Sequence, residues 1–222
     1  MDMRRENMEK STVMSSEETD EAAQRARTYF REGYNCCQSV FLAFADRYGF
    51  DRELACRLSA SFGGGIGRLR EVCGTVSAMA LICGLECGAT EGSDREGKAA
   101  NYEQMQQLAA QFKEQSGSLI CRELLGLGAQ TMDRQVDWQN GQENDRQNRE
   151  TIIGGMGNFH PQERTEQYYE VRPCERLVGL AAEIIQKWLD ERTAKNGQDM
   201  AEQKDKKQAY EAEMPENGEE LL

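Results

Sequence analysis

Between residues 17 and 190 the apolar positions recur three and four residues apart, and hardly anywhere in alternation, which predicts helices rather than strands. The first spans 17–32. It opens with acidic residues behind a candidate N-cap, Ser16, carries Ala22, Ala26, Tyr29 and Phe30 on one stripe, and ends at Gly33. Asn35 then caps a second helix from Cys36 to about Tyr48, with Val40, Phe41, Phe44 and Ala45 on its inner face. Gly49 stops it, and Asp51 caps a short third helix to about Ser61.

The segment FGGGIGRLREVCG interrupts this rhythm. Its glycines make a poor helix interior, so 63–67 reads as a tight loop. The run from about Glu71 to Leu85 is small and apolar on several sides, the pattern of a central, deeply buried helix. Residues 94–115 form an amphipathic helix with Tyr102, Met105, Leu108, Ala109 and Phe112 on one face, and Ser118 caps a short one closed by Gly126. Residues 127–158 are polar and weakly periodic, an inserted loop that includes Trp138; 173–190 is the last core helix, with Pro173 at its first position and Trp188 assigned to packing. The expected architecture is a single all-α domain, a compact bundle of six or seven helices over 17–190, flanked by disordered acidic tails at 1–16 and 191–222.

Charge narrows the class of function. The net charge is −12, and most of it sits at the two ends, leaving the middle nearly neutral. A pI near 4.8 without a basic block argues against nucleic-acid or anionic-membrane partners. No apolar run reaches the ~18–20 residues of a membrane span, and the N-terminus lacks the apolar stretch of a secretory signal, so the expected location is cytoplasmic. One histidine, His160, excludes sites built on two or more histidines of one chain; it reads as an ordinary loop residue.

The chemistry lies in the eight cysteines. In a cytosolic chain that many thiols point to redox chemistry or metal binding more than to structural disulfides. Four of them, Cys36, Cys73, Cys121 and Cys174, fall in the first turns of four predicted helices, where free N–H groups and the positive end of the dipole favour thiolate over thiol. Arg68 and Arg70 are candidates to raise the local potential near Cys73, with a solvated surface role as the alternative. Cys83 and Cys87, four residues apart on one helix, lack the ~3.5–4.5 Å Cβ separation a disulfide needs and read as core packing. Cys56 reads as a buried small residue, and Cys36–Cys37 could form only a strained vicinal bridge. The glycine loop is not GxxxxGK[ST], which leaves no phosphate-loop reading.

The segments GYNCCQSVFLAF, FGGGIGRLREVCGTVSAMALICGLECG, SLICRELLG and RPCERLVGLAAEII resemble the redox-active proteins named for the pattern C–GCAxxG–C–C, over about Glu18 to Trp188. The resemblance carries over Cys36, Cys73, Cys121 and Cys174, the same four that the helix-start reading selects. It departs at Cys37, where the family usually has alanine, and at Thr75 and Ala78, where the motif usually has alanine and glycine. A similar cysteine domain is associated with haem proteins of the split-Soret type, for which an iron–sulfur cluster has been suggested, so the resemblance also implies a cluster as a rival.

Two functions therefore stand side by side. In the first, the four cysteines cycle between dithiol and disulfide with an unidentified redox partner, as a thiol oxidoreductase without a CxxC motif. In the second, the same four residues hold zinc or an iron–sulfur cluster for electron transfer, sensing or structure. A helical scaffold whose thiols only pack is the third. Under the first two, the four sulfurs should lie close together.

Overall fold

A computed structural model describes residues 20–127 and 159–213, with side chains described to residue 198. Among the described residues there are eight α-helices and two 3-10 turns. The helices are α1 (20–31), α2 (Cys36–Leu42), α3 (Arg52–Ser59), α4 (Gly74–Cys87), α5 (Arg95–Ser116), α6 (Cys121–Leu124), α7 (Glu166–Val171) and α8 (Cys174–Glu213). The only β pairing among these residues is an isolated antiparallel bridge between Val72 and Ile120. The all-α expectation holds. The eighth helix is α7, too short to leave a periodic signature. Ser16, Trp138, the tail 1–16 and nearly all of the inserted loop 127–158 lie outside the described residues.

Local chemistry sets the element ends. Asn35 Oδ1 accepts from the backbone of Cys37 and Gln38, and Gln38 returns a bond to Asn35 N–H, a complete capping box. Asp51 caps α3 by accepting from Leu54 N–H at 2.8 Å, and Asp94 caps α5 through Gly97 N–H at 2.8 Å. The second helix is shorter than its pattern suggests: it ends at Leu42, and Ala45–Tyr48 continues as a 3-10 turn closed by Gly49. At the other end, α8 runs beyond Asp190 to Glu213, along the charged, helix-prone tail that has no core-facing stripe. The alanine-, lysine- and glutamate-rich composition there favours helix even without an apolar stripe.

The chain divides into two compact units, Met1–Gln186 and Lys187–Leu222, with the boundary inside α8. In the first, α2 packs on α3 and α4, and α4 on α5. Ala22, Ala26, Phe30, Met79, Phe112 and Ile185 are among its fully buried side chains. The N-terminal half of α4, Gly74 to Met79, is buried on every side, but Leu81 is half-buried and Leu85 is 43% exposed. The expectation of burial all round thus holds for the half of the helix beside the cysteines only. On α5, Leu108 and Phe112 are buried while Tyr102 is exposed. In the second unit, the Arg192 guanidinium lies 5.1 Å from the ring centre of Trp188.

Candidate functional site

Two backbone devices gather the cysteines. The first is the bridge at Val72 and Ile120. Cys73 N–H donates to Leu119 O (2.9 Å), Cys121 N–H to Glu71 O (2.7 Å) and Arg122 N–H to Arg70 O (3.1 Å), which sets the segments carrying Cys73 and Cys121 side by side. The second is the glycine loop. Gly64, Gly65, Ile66, Gly67 and Arg68 all have φ between +55° and +73°, and Arg70 has φ +63°. Left-handed backbone costs a non-glycine residue about 1–2 kcal/mol, so Ile66, Arg68 and Arg70 are held there by the surrounding structure. At Gly65 a Cβ would stand 2.6 Å from Cys121 Cβ and 2.8 Å from Glu71 N. At Gly74 a Cβ would stand 3.2 Å from Cys36 Cβ and 3.1 Å from Cys37 N, so the absent side chain lets the start of α4 close on α2.

Cys36 and Cys174 are the first residues of α2 and α8, as the sequence suggests. Pro173 stands one position before α8 rather than inside it; its carbonyl accepts from Leu177 N–H at 3.0 Å. Cys73 is the N-cap of α4. Cys121 opens α6 behind Ile120, while Ser118, two residues earlier, accepts from Ile120 N–H at 3.0 Å. Cys36, Cys121 and Cys174 line one cleft with a volume of about 270 Å³, and Cys73 is buried, in electrostatic range of Cys121 and Cys174. The four predicted cysteines are thus brought together.

They do not share one ionisation state. Cys174 is drawn down to about 7: its pairing with Cys36 is the largest cause, and the Arg172 and Arg164 guanidinium groups add to it against the opposing effect of burial. Cys36 is raised well above the usual thiol value, as the donor in that pair and by burial. Burial pushes Cys73 up to about 12, a hydrogen bond with Thr75 Oγ1 (3.1 Å) opposing it only in part. Burial also raises Cys121, against the pull of Arg70, whose Nη1 stands 4.0 Å from its sulfur. A helix start alone therefore does not make a thiolate; desolvation outweighs it at Cys73 and Cys121, and Cys36 together with two guanidinium groups reverses the balance at Cys174. Arg70, 1% exposed, is not a solvated surface residue, and it acts on Cys121 rather than Cys73.

The other cysteines stand apart in role. Cys37 is buried, with its thiol pushed up to about 12 by burial. Cys56 is half-buried rather than buried. The Cys83 and Cys87 sulfurs are 3.9 Å apart, and Asn101 Nδ2 donates toward both. His160 is an exposed loop residue whose ring lies 4.2 Å from that of Phe159. Among the described residues no three Cys, His, Asp or Glu side chains converge as a single metal ion requires.

Arg164, Tyr168 and Arg172 were not among the residues singled out from the sequence, yet they form one wall of the cleft. Arg164 packs over the rings of Phe30 (4.4 Å) and Tyr168 (4.6 Å), and Arg172 over Tyr168 (4.7 Å). Their signal was a four-residue spacing, Arg164, Tyr168, Arg172, running directly into Pro173–Cys174.

This is the geometry of an all-α domain in which Cys36, Cys121 and Cys174, from distant segments, line one arginine-bearing cleft with Cys73 buried in electrostatic range. Residues 34–188 match the family described as "Putative redox-active protein (C_GCAxxG_C_C)", and the chain belongs to that family. No curated protein and no solved structure matches it. Among the described residues no helix is long and apolar enough to cross a membrane.

Proposed function

We propose that the protein is a dithiol–disulfide redox protein in which Cys174 is the attacking thiolate and Cys36 the resolving thiol, with Cys121 and Cys73 as neighbouring neutral thiols. The observation that supports this reading is the placement of Cys36 and Cys174 on one cleft with Arg164 and Arg172, where Cys36 first and the two guanidinium groups after it hold the Cys174 thiol below its ordinary value. A pKa near ambient pH suits an attacking thiol, since it balances thiolate fraction against nucleophilicity. In the reaction, the Cys174 thiolate attacks one sulfur of a disulfide; the substrate S–S bond breaks and the departing thiolate takes up a proton. Cys36 then loses its proton and attacks the Cys174 sulfur, releasing the second half of the substrate as a thiol. Two electrons pass to the substrate, a Cys36–Cys174 disulfide remains, and a dithiol reductant restores it.

The test is oxidation of the reduced, anaerobically purified protein with one equivalent of the neutral oxidant diamide, followed by peptide mapping without reduction. A Cys36–Cys174 linkage is expected in the wild type and not in Cys174→Ser. Linkages that never include Cys174, or stoichiometric iron with sulfide or zinc in the purified protein, would overturn the reading.

A further inference from the structure

One wall of the cleft is attached differently from the rest of the domain. Pro161, Gln162, Arg164, Tyr168 and Arg172 all line it, on one stretch of chain that runs into Cys174 through Arg172–Pro173. The helix on this stretch, α7, has six residues and buries none of their side chains. Six residues are too few for a helix to persist by itself in water. Among the described residues no backbone–backbone hydrogen bond ties 161–172 to another element. Side chains make the attachments. Arg164 Nη2 donates to Tyr34 O at 3.0 Å and Tyr169 Oη to Arg31 O at 3.4 Å. The Arg164 guanidinium stands 4.4 Å from the ring centre of Phe30, and that of Arg31 4.5 Å from the ring centre of Tyr169. Attachments of this kind, with few buried apolar contacts beneath them, belong to the least stable parts of a fold.

Two guanidinium groups on this stretch, Arg164 and Arg172, favour the Cys174 thiolate. The coupling is reciprocal: if their position stabilises the anion, the anion stabilises their position by the same factor. Cys36, Cys73, Cys121 and Tyr168, all in electrostatic range of Cys174, are raised above their ordinary values, so Cys174 is the one of these five groups that ionises first. We propose that residues 161–172 are a redox-linked strap: the Cys174 thiolate holds it against the cleft through Arg164 and Arg172, and oxidation of Cys36 and Cys174 to a neutral disulfide releases it about Arg172–Pro173. The release rests on the dithiol reading; the hold of the thiolate on the strap does not. No bond is made or broken beyond the exchange above. What changes is that the Cys174 sulfur loses its negative charge. The closed strap shields the thiolate from bulky reagents, and the released strap presents the disulfide to the dithiol reductant that restores it.

Amide hydrogen exchange of the full chain, read by mass spectrometry at one mildly alkaline pH, tests this in the reduced wild type, the diamide-oxidised wild type and Cys174→Ser. Peptides covering 162–172 are expected to exchange about fivefold or more faster after oxidation, the low end of coupling between two sites, while peptides of α5 do not change. Reduced Cys174→Ser should match the oxidised wild type over 162–172 and respond no further to diamide. The difference between redox states should shrink in Arg164→Gln, with Arg164→Lys keeping more of it, a rescue that follows the charge. Exchange over 162–172 that is equal in the two redox states of the wild type, or slower after oxidation, would overturn the proposal; that comparison uses the native chain and needs no variant to fold. Peptide mapping of the same samples separates the two readings. A Cys36–Cys174 linkage with unchanged exchange over 162–172 leaves the dithiol reading standing and removes the strap. No such linkage, with 162–172 freed in Cys174→Ser, removes the dithiol reading and the release by oxidation, and leaves the thiolate's hold on the strap.

Discussion

Replacing Cys36 with alanine removes the interaction that does most to keep Cys174 ionised. With that partner the Cys174 thiol is held below its ordinary 9.0, so more of this sulfur is thiolate at neutral pH than of an ordinary cysteine. A hydrogen bond to a charged acceptor contributes about 1.5–3 kcal/mol, and 1.36 kcal/mol corresponds to one pH unit. The midpoint in Cys36→Ala is therefore expected to rise by about one to two pH units, with Arg172 and Arg164 still opposing burial. Each unit of rise lowers the thiolate fraction by up to about tenfold, while each remaining thiolate becomes only about threefold more nucleophilic through a Brønsted slope of ~0.4–0.5. The gain offsets only part of the loss, so the rate at one pH mixes two opposing effects and the midpoint is the cleaner readout. The assay is the pH dependence of iodoacetamide labelling of the Cys174 peptide, quantified by mass spectrometry in both proteins. Comparing midpoints cancels access through the cleft. An unchanged or lower midpoint in Cys36→Ala would refute the hydrogen bond as the cause.

Three further outcomes are expected. Gly65→Ala should destabilise the fold by roughly 2–4 kcal/mol in urea unfolding, combining left-handed strain with the contact on Cys121; Gly67→Ala, with φ +55° but nothing nearer than Ser61 O at 4.0 Å, should cost only about 1–2 kcal/mol. Folded Cys37 and Cys73 titrate near 12, whereas an unfolded thiol ionises near 9, so their contribution is full below pH 9 and is lost as pH rises toward 12; urea unfolding under reducing conditions should show stability falling over that window, less steeply in Cys37→Ala. Met79→Ala, at a fully buried position on α4, should cost about 2–5 kcal/mol, and a near-neutral result would mean that this half of the helix is not core.

What could be read from the sequence was what neighbouring residues decide. Asn35, Asp51 and Gly49 act on groups a few residues away, and the element ends they mark are found close to where the pattern puts them. The four cysteines were legible as a set, through their positions beside helix starts and through the family resemblance. Their ionisation was not, because the state of Cys174 depends on Cys36, which comes from the far end of the domain, and on a wall of arginines whose short helix has no apolar period. Arg70 illustrates the limit: a charged residue in a glycine-rich segment reads as solvated, and only the reversed backbone of the loop turns it inward against Cys121. The C-terminal half of α4 misled for a related reason: Ala80, Gly84 and Leu85 are exposed beside the buried Ile82 and Cys83, and an apolar residue is no guarantee of burial.

The placement of Cys36 and Cys174 also bears on how long the molecule lasts. One opens α2 and the other opens α8, so a bond between their sulfurs would fasten the two ends of the domain and enclose roughly 140 residues. Closing so long a loop removes conformational freedom from the unfolded chain equivalent to about 5 kcal/mol in the entropic account. Marginal domains are held by only about 5–15 kcal/mol in total. Under the proposed dithiol chemistry the two sulfurs would then also act as a clasp. The oxidised protein would open far less often than the reduced one, and a protease would meet the two redox states as if they were proteins of different durability.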